Sequence, residues 1–172
     1  MIFGSITRGD DGSRVVQARN DNKRKILVQL NGVKISEVST DEVAFDLISD
    51  KNATKISAVD TANVDAAQEH SEEWFGKAIS EALIKSAYIP SALSCDRIDA
   101  TKVFNSQQET VDFESLQSEK PCDIIVEFSE LWFAKKNYGP TWNIVQVRLH
   151  PEPVTDTYPD EFAFVDSDDD EK

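Results

Sequence analysis

The longest apolar alternation in the chain runs from Cys122 to His150. It predicts two strands, residues 123–134 and 141–150, joined by Lys135-Lys136-Asn137-Tyr138-Gly139-Pro140. β-branched and aromatic residues fill both arms, which suits a pleated, half-buried surface. Gly and Pro in the connection permit the reversal. By strict alternation Ile124, Val126, Phe128 and Trp132 share one face while Leu131 and Phe133 take the other. At most one of Trp132 and Phe133 should then enter the core.

Earlier in the chain, residues 14–19 and 25–30 read as strands about a polar turn at 20–24. Asn31-Gly32 between alternating runs signals a tight hairpin, because both central positions of a type I′ turn need positive φ. Residues 33–38 and 43–49 continue the pattern, so the first half reads as an antiparallel meander. Residues 1–13 have no period and read as a loose or edge segment.

A helix is expected from Asp60 or Thr61, with Ala62, Ala66, Ala67, His70, Trp74 and Phe75 at helical spacing. Gly76 interrupts it. Ser80 caps a second helix over 81–87 that stops before Pro90. Residues 91–120 are polar, with short strands expected at 102–105 and 111–116.

These elements predict a mainly β fold with an inserted helical segment at about 60–90. The architecture expected is a five-stranded antiparallel barrel of the oligonucleotide-binding type, which often carries a helix. An open α+β sheet is the competing arrangement. Residues 1–151 form the expected domain. Residues 152–172, rich in Pro, Asp and Glu, are too charged to pack and read as a disordered acidic tail.

Charge complicates the functional reading. The net charge is −14, and nine acidic residues against one lysine lie after Pro151. The body is acidic too, but its cations cluster near the start (Arg14, Arg19, Lys23, Arg24, Lys25, Lys34) and beside the long hairpin (Lys135, Lys136, Arg148). No apolar run approaches the ~20 residues that span a bilayer, and the first residues do not read as a secretory signal. No membrane association is expected. The two cysteines, Cys95 and Cys122, have no zinc spacing and read as reduced, partly buried thiols. The two histidines lie far apart, without an HExxH, phosphate-loop or nucleophile-elbow context. No catalysis, metal or cofactor is expected.

The hairpin supplies the candidate chemistry. Trp132, Phe133, Tyr138 and Trp142 are rings for stacking unpaired bases, with Tyr138 at the tip the best single choice. Arg24, Lys25, Lys34, Lys135, Lys136 and Arg148 are candidate phosphate contacts.

Ser71-Glu-Glu-Trp-Phe-Gly-Lys77, Tyr88-Ile-Pro90, Leu131-Trp-Phe133, Tyr138-Gly139, Trp142 and Gln146 together resemble a family from nucleocytoplasmic large DNA viruses. Its members are described as single-stranded DNA-binding proteins with an oligonucleotide-binding fold. The resemblance covers residues 25–149. A more distant one is to the single-stranded DNA-binding proteins of short-tailed coliphages, which pair such a barrel with an acidic C-terminal tail. It implies a partner in single-stranded DNA, with RNA left open because stacking ignores the sugar. It also implies replication proteins recruited by the tail, at a viral replication site in the host cytoplasm or nucleus. The coliphage tail ends in an aromatic residue. Here the chain ends in Lys172, with Phe162 and Phe164 inward of the acidic run. A virion structural or scaffold protein is the alternative.

Overall fold

The computed structural model describes residues 1–151. The expected acidic tail, 152–172, lies outside the described residues.

Among the described residues eight strands form one sheet: β1 (Ile2–Arg8), β2 (Arg14–Arg19), β3 (Ile26–Val38), β4 (Glu42–Asp46), β5 (Ser94–Phe104), β6 (Thr110–Val111), β7 (Pro121–Phe133) and β8 (Tyr138–Leu149). Five of them pair in a circuit. β7 pairs with β3, β3 with β4, and β4 with β5; β5 runs parallel to β8, and β8 returns to β7. The ring is partial. β4 meets β5 only from Glu42 to Ala44, and the β5–β8 pairing is interrupted between Arg97 and Lys102. β1 and β2 extend the sheet from the far half of β7, and β6 pairs with the end of β5. The expectation of a five-stranded barrel is thus corrected to an eight-stranded sheet that contains a five-strand ring.

β3 explains part of the difference. Asn31-Gly32 does not close a hairpin, because β3 is continuous across it. The register shifts between Leu30 and Val33, and Gly32 takes φ 68° there. Positive φ at a glycine also suits a bulge, which bends a strand and increases its twist. The bend lets one 13-residue strand pair with β7 over its first part and with β4 over its second. β2 and β3 do not pair with each other either; both lie along the same edge of β7. The first half is therefore not a simple meander.

A second bulge decides which rings face inward. The β7–β8 register shifts between Phe128 and Glu130. Beyond that shift the parity of β7 reverses. Leu131 and Phe133 then join Cys122, Ile124, Val126 and Phe128 in the core, and Trp132 turns to the opposite face, half-buried. Alternation alone assigned these residues the other way.

Three helices separate β4 from β5: α1 (Asp50–Glu69), α2 (Ser71–Phe75) and α3 (Glu81–Ala87). α1 begins ten residues earlier than expected, where Ser49 accepts from the Asn52 amide at 3.2 Å and caps it. Its buried stripe is Ile56, Val59, Asn63, Ala66 and Ala67. α2 ends at Gly76 in the left-handed conformation, and Ser80 caps α3. A polar relay ties α1 to the sheet. Asp60 Oδ1 accepts from the Tyr88 hydroxyl at 2.5 Å and from Ser91 Oγ at 2.8 Å, and Ser91 Oγ accepts from Trp142 Nε1 at 2.8 Å. Both cysteines are free and fully buried. Burial pushes the Cys122 thiol up to about 12, so neither is a ready nucleophile. No helix among the described residues is long and apolar enough to cross a membrane.

Candidate nucleic-acid interface

The tip of the β7–β8 hairpin is four residues, 134–137, closed by a bond from the Ala134 amide to the Asn137 carbonyl at 2.8 Å. Asn137 Nδ2 donates to Ala87 O at the end of α3, and the Ile89 amide donates to Tyr138 O at 2.8 Å. The tip is thus pinned against the α3 end rather than standing free.

This pinning buries the rings. Tyr138 is 0% exposed, and its hydroxyl donates to Ile84 O at 3.0 Å. Phe133 stacks on it at 5.6 Å between centroids, and Phe75 meets both edge-on. Trp142 is 3% exposed, packs on Phe128 and is held through Nε1 by Ser91. Phe133, Tyr138 and Trp142 are therefore core residues, and the expectation that they stand open for base stacking is corrected. The cause is ordinary: large rings pack where an adjacent helix can cover them. Trp132 alone of the four is half-buried. It lies on Gly139, where an added Cβ would come within 3.0 Å of Trp132 Cζ2.

The six expected cations do not form one groove. Lys34 and Arg148 stand near the start of β7, opposite Pro121 and Asp123. Lys25 and Arg24 stand beside its middle, since Ile26 pairs with Phe128. Only Lys135 and Lys136 stand at the tip. Three of the six also neutralise the protein's own carboxylates. Lys25 Nζ is 3.5 Å from the buried Glu127, Lys34 Nζ is 3.1 Å from Glu119, and Arg148 Nη2 is 2.6 Å from Asp123. Arg24 is exposed and makes no ion pair among the described residues.

Asp123 anchors its cluster firmly. Burial pushes its carboxyl up, but bonds from His150, the Gly32 amide and Arg148 outweigh that and hold it below the ordinary 3.8. Its stabilising contribution is complete above 3.8 and disappears as pH falls through the lower folded value. Asp123→Asn should lower stability by roughly 1–3 kcal/mol at neutral pH. The gap between wild type and variant should close as pH drops below about 3.8, which parallel thermal melts from pH 7 to pH 2.5 will show.

At the tip, two cations join the lysines. Arg14 pairs with Phe133 across β2–β7, and Nη2 reaches Ala134 O at 3.5 Å. Lys77 follows the Gly76 cap of α2. Arg14, Lys77, Lys135 and Lys136 rim a pocket of about 340 Å³ whose apolar wall includes Phe75, Ile79 and Leu83. Among the described residues no carboxylate lines it, and none of the four makes an ion pair. The sequence sets Arg14 among the cations near the start of the chain, and Lys77 is not among the phosphate contacts expected from it. Nothing local in the sequence brings them together; the β2–β7 pairing and the α2–Gly76 turn do.

No curated protein matches the sequence. Two solved structures are similar to the chain. One is the single-stranded DNA-binding protein from bacteriophage Enc34 in complex with ssDNA, with TM-score 0.46 and 8% identity, covering 88% of this chain and 98% of that one. The other is the single-stranded DNA-binding protein from bacteriophage Enc34, with TM-score 0.44 and 11% identity, covering 98% of each chain. Residues 31–166 match a family described as a family of unknown function, DUF5871, and the chain belongs to that family.

Proposed function

We propose that this chain is a non-catalytic protein that binds single-stranded nucleic acid, DNA foremost, at the tip of the β7–β8 hairpin. One observation carries the reading: four cations rim a pocket that no carboxylate of the described residues lines, on a chain of net charge −14. Elsewhere Lys25, Lys34 and Arg148 face acidic partners. Four cations without an ion-pair partner among the described residues, around a concave, partly apolar site, repel one another unless an anion sits among them. A strand fits because its phosphates meet the cations while a base lies against Phe75, Ile79 or Leu83. The tip between the last two strands of a five-strand ring is also a place where oligonucleotide-binding barrels take their ligand.

The resemblance sets the finer reading. The strand is then viral DNA in replication, repair or recombination, in the host cytoplasm or nucleus. Residues 152–172 compete for the cationic rim and recruit replication proteins. Their reach suffices: β8 spans about 40 Å from tip to base, whereas 21 residues extend to about 70 Å. A virion or scaffold protein is the second reading, favoured by the burial of Phe133, Tyr138 and Trp142, which removes the expected stacking platform.

Fluorescence anisotropy of labelled oligo(dT) tests the choice, with the full chain and with residues 1–151. The strand reading expects binding that weakens with salt and tightens on removal of 152–172. No binding by residues 1–151 at low salt overturns it in favour of the scaffold reading.

A further inference from the structure

A second concavity of about 340 Å³ opens on the outer face of the sheet, away from the tip. It is built by register. Lys102, Gln146, Ile125 and Gln29 form one row across β5, β8, β7 and β3, and Phe104, Arg148 and Asp123 form the next. Ile125 lies eight residues from Phe133, so roughly 26 Å separates this site from the tip.

Its composition differs from the rim. One half-buried ring, Phe104, borders it, and three primary amides line it from separate elements: Gln108, Gln146 and Gln29, whose Nε2 donates to Asn31 Oδ1 at 3.0 Å. Gln108 sits in the β5–β6 turn at φ 66°, a region non-glycine residues seldom occupy. Asn105 Oδ1 holds that turn by accepting from the Gln107 and Glu109 amides. The turn thereby places a third amide over the site; it has the form of the 20–24 turn, where Lys23 takes φ 63° and Asn20 Oδ1 accepts from the Asn22 and Arg24 amides. Arg148 is committed, since Nε and Nη2 both donate to Asp123 Oδ2, at 2.9 and 2.6 Å.

We infer that this outer-face concavity is a base-binding site that takes adenine. A flat ring offers a stacking surface to any base. Selection comes from the edge-reading groups. A glutamine amide matches the adenine N6/N7 edge in a bidentate pair, whereas guanine O6/N7 calls for an arginine fork, and Arg148 is turned to Asp123. The amides are neutral, so the site reads the base and leaves the phosphates to other groups. This goes beyond the strand-binding reading, because the adenine can belong to a strand or to a free nucleotide.

The test is an NMR titration of the ¹⁵N-labelled full chain with AMP and, separately, CMP, accompanied by oligo(dA) and oligo(dT) binding. AMP should shift the side-chain amides of Gln108 and Gln146, bind roughly tenfold tighter than CMP, and lose about tenfold on Gln146→Ala. Gln146 is exposed, so that variant should fold; Phe104→Ala should weaken AMP and CMP alike. An adenine within a strand predicts that oligo(dA) outbinds oligo(dT), and that Gln146→Ala erases the difference without altering salt dependence. A free nucleotide predicts AMP binding with no such oligonucleotide preference. Absence of AMP shifts at these amides, or equal response to CMP, overturns the inference. If oligo(dT) still binds in that case, the rim proposal stands; if AMP binds and no oligonucleotide does, the rim proposal falls alone.

Discussion

Tyr138→Ala should destabilise the protein by roughly 3–5 kcal/mol, the range for removing a large ring from a packed core. The residue has no exposed surface, and its ring touches Phe75, Tyr88 and Phe133. Truncation opens a cavity where α3 meets the hairpin and leaves Ile84 O without the hydroxyl it accepts from. Tyr138→Phe separates the two contributions. It keeps the packing and should cost only about 1 kcal/mol for the single hydrogen bond. Chemical denaturation of both variants will check this. A Tyr138→Ala variant as stable as wild type would mean that the ring is not packed as described, and would restore Tyr138 as a candidate for stacking.

The second large effect concerns binding rather than stability. Lys77→Ala, Lys135→Ala and Lys136→Ala combined should lower affinity for oligo(dT) by roughly 10- to 100-fold at low salt, if each exposed contact contributes up to about 1 kcal/mol. The melting temperature should stay near the wild-type value or rise slightly. All three side chains are exposed, make no ion pair among the described residues and stand close to like charges, so their loss relieves repulsion. Lys25→Ala should behave in the opposite way. It leaves the buried Glu127 with only Asn143 as a side-chain partner among the described residues, and so should cost stability more than binding.

The contrast between these residues marks what could be read without a structure. The paired arms of β7 and β8 and the Ser80 cap of α3 were legible, because they rest on local period and capping chemistry; that Phe133, Tyr138 and Trp142 enter the core was not, because the helix that covers them comes from elsewhere in the chain. Asn31-Gly32 misled because positive φ serves a bulge as readily as a hairpin. Trp132 and Phe133 exchanged faces because a register shift two to three residues upstream leaves no trace in alternation. The early start of α1 had a signal, Ser49 followed by Asp50, masked by the apolar run before it. The binding candidates suffered most. Whether a lysine is available to a phosphate depends on its carboxylate neighbours, and those come from elsewhere in the chain: Glu127 for Lys25, Glu119 for Lys34, Asp123 for Arg148. Only pairing across the sheet decides that, and only pairing brings Arg14 to the lysines at the tip.

The most direct measurement of the cationic rim is the slope of log K against log salt for oligo(dT), in wild type and in the Lys77, Lys135 and Lys136 triple variant. Four phosphate contacts predict a slope of about −3, or roughly a 50-fold loss of affinity between 50 and 200 mM salt. With Arg14 alone remaining, the triple variant should fall to about −0.7. An unchanged slope in the triple variant, or a flat dependence in wild type, would contradict the account.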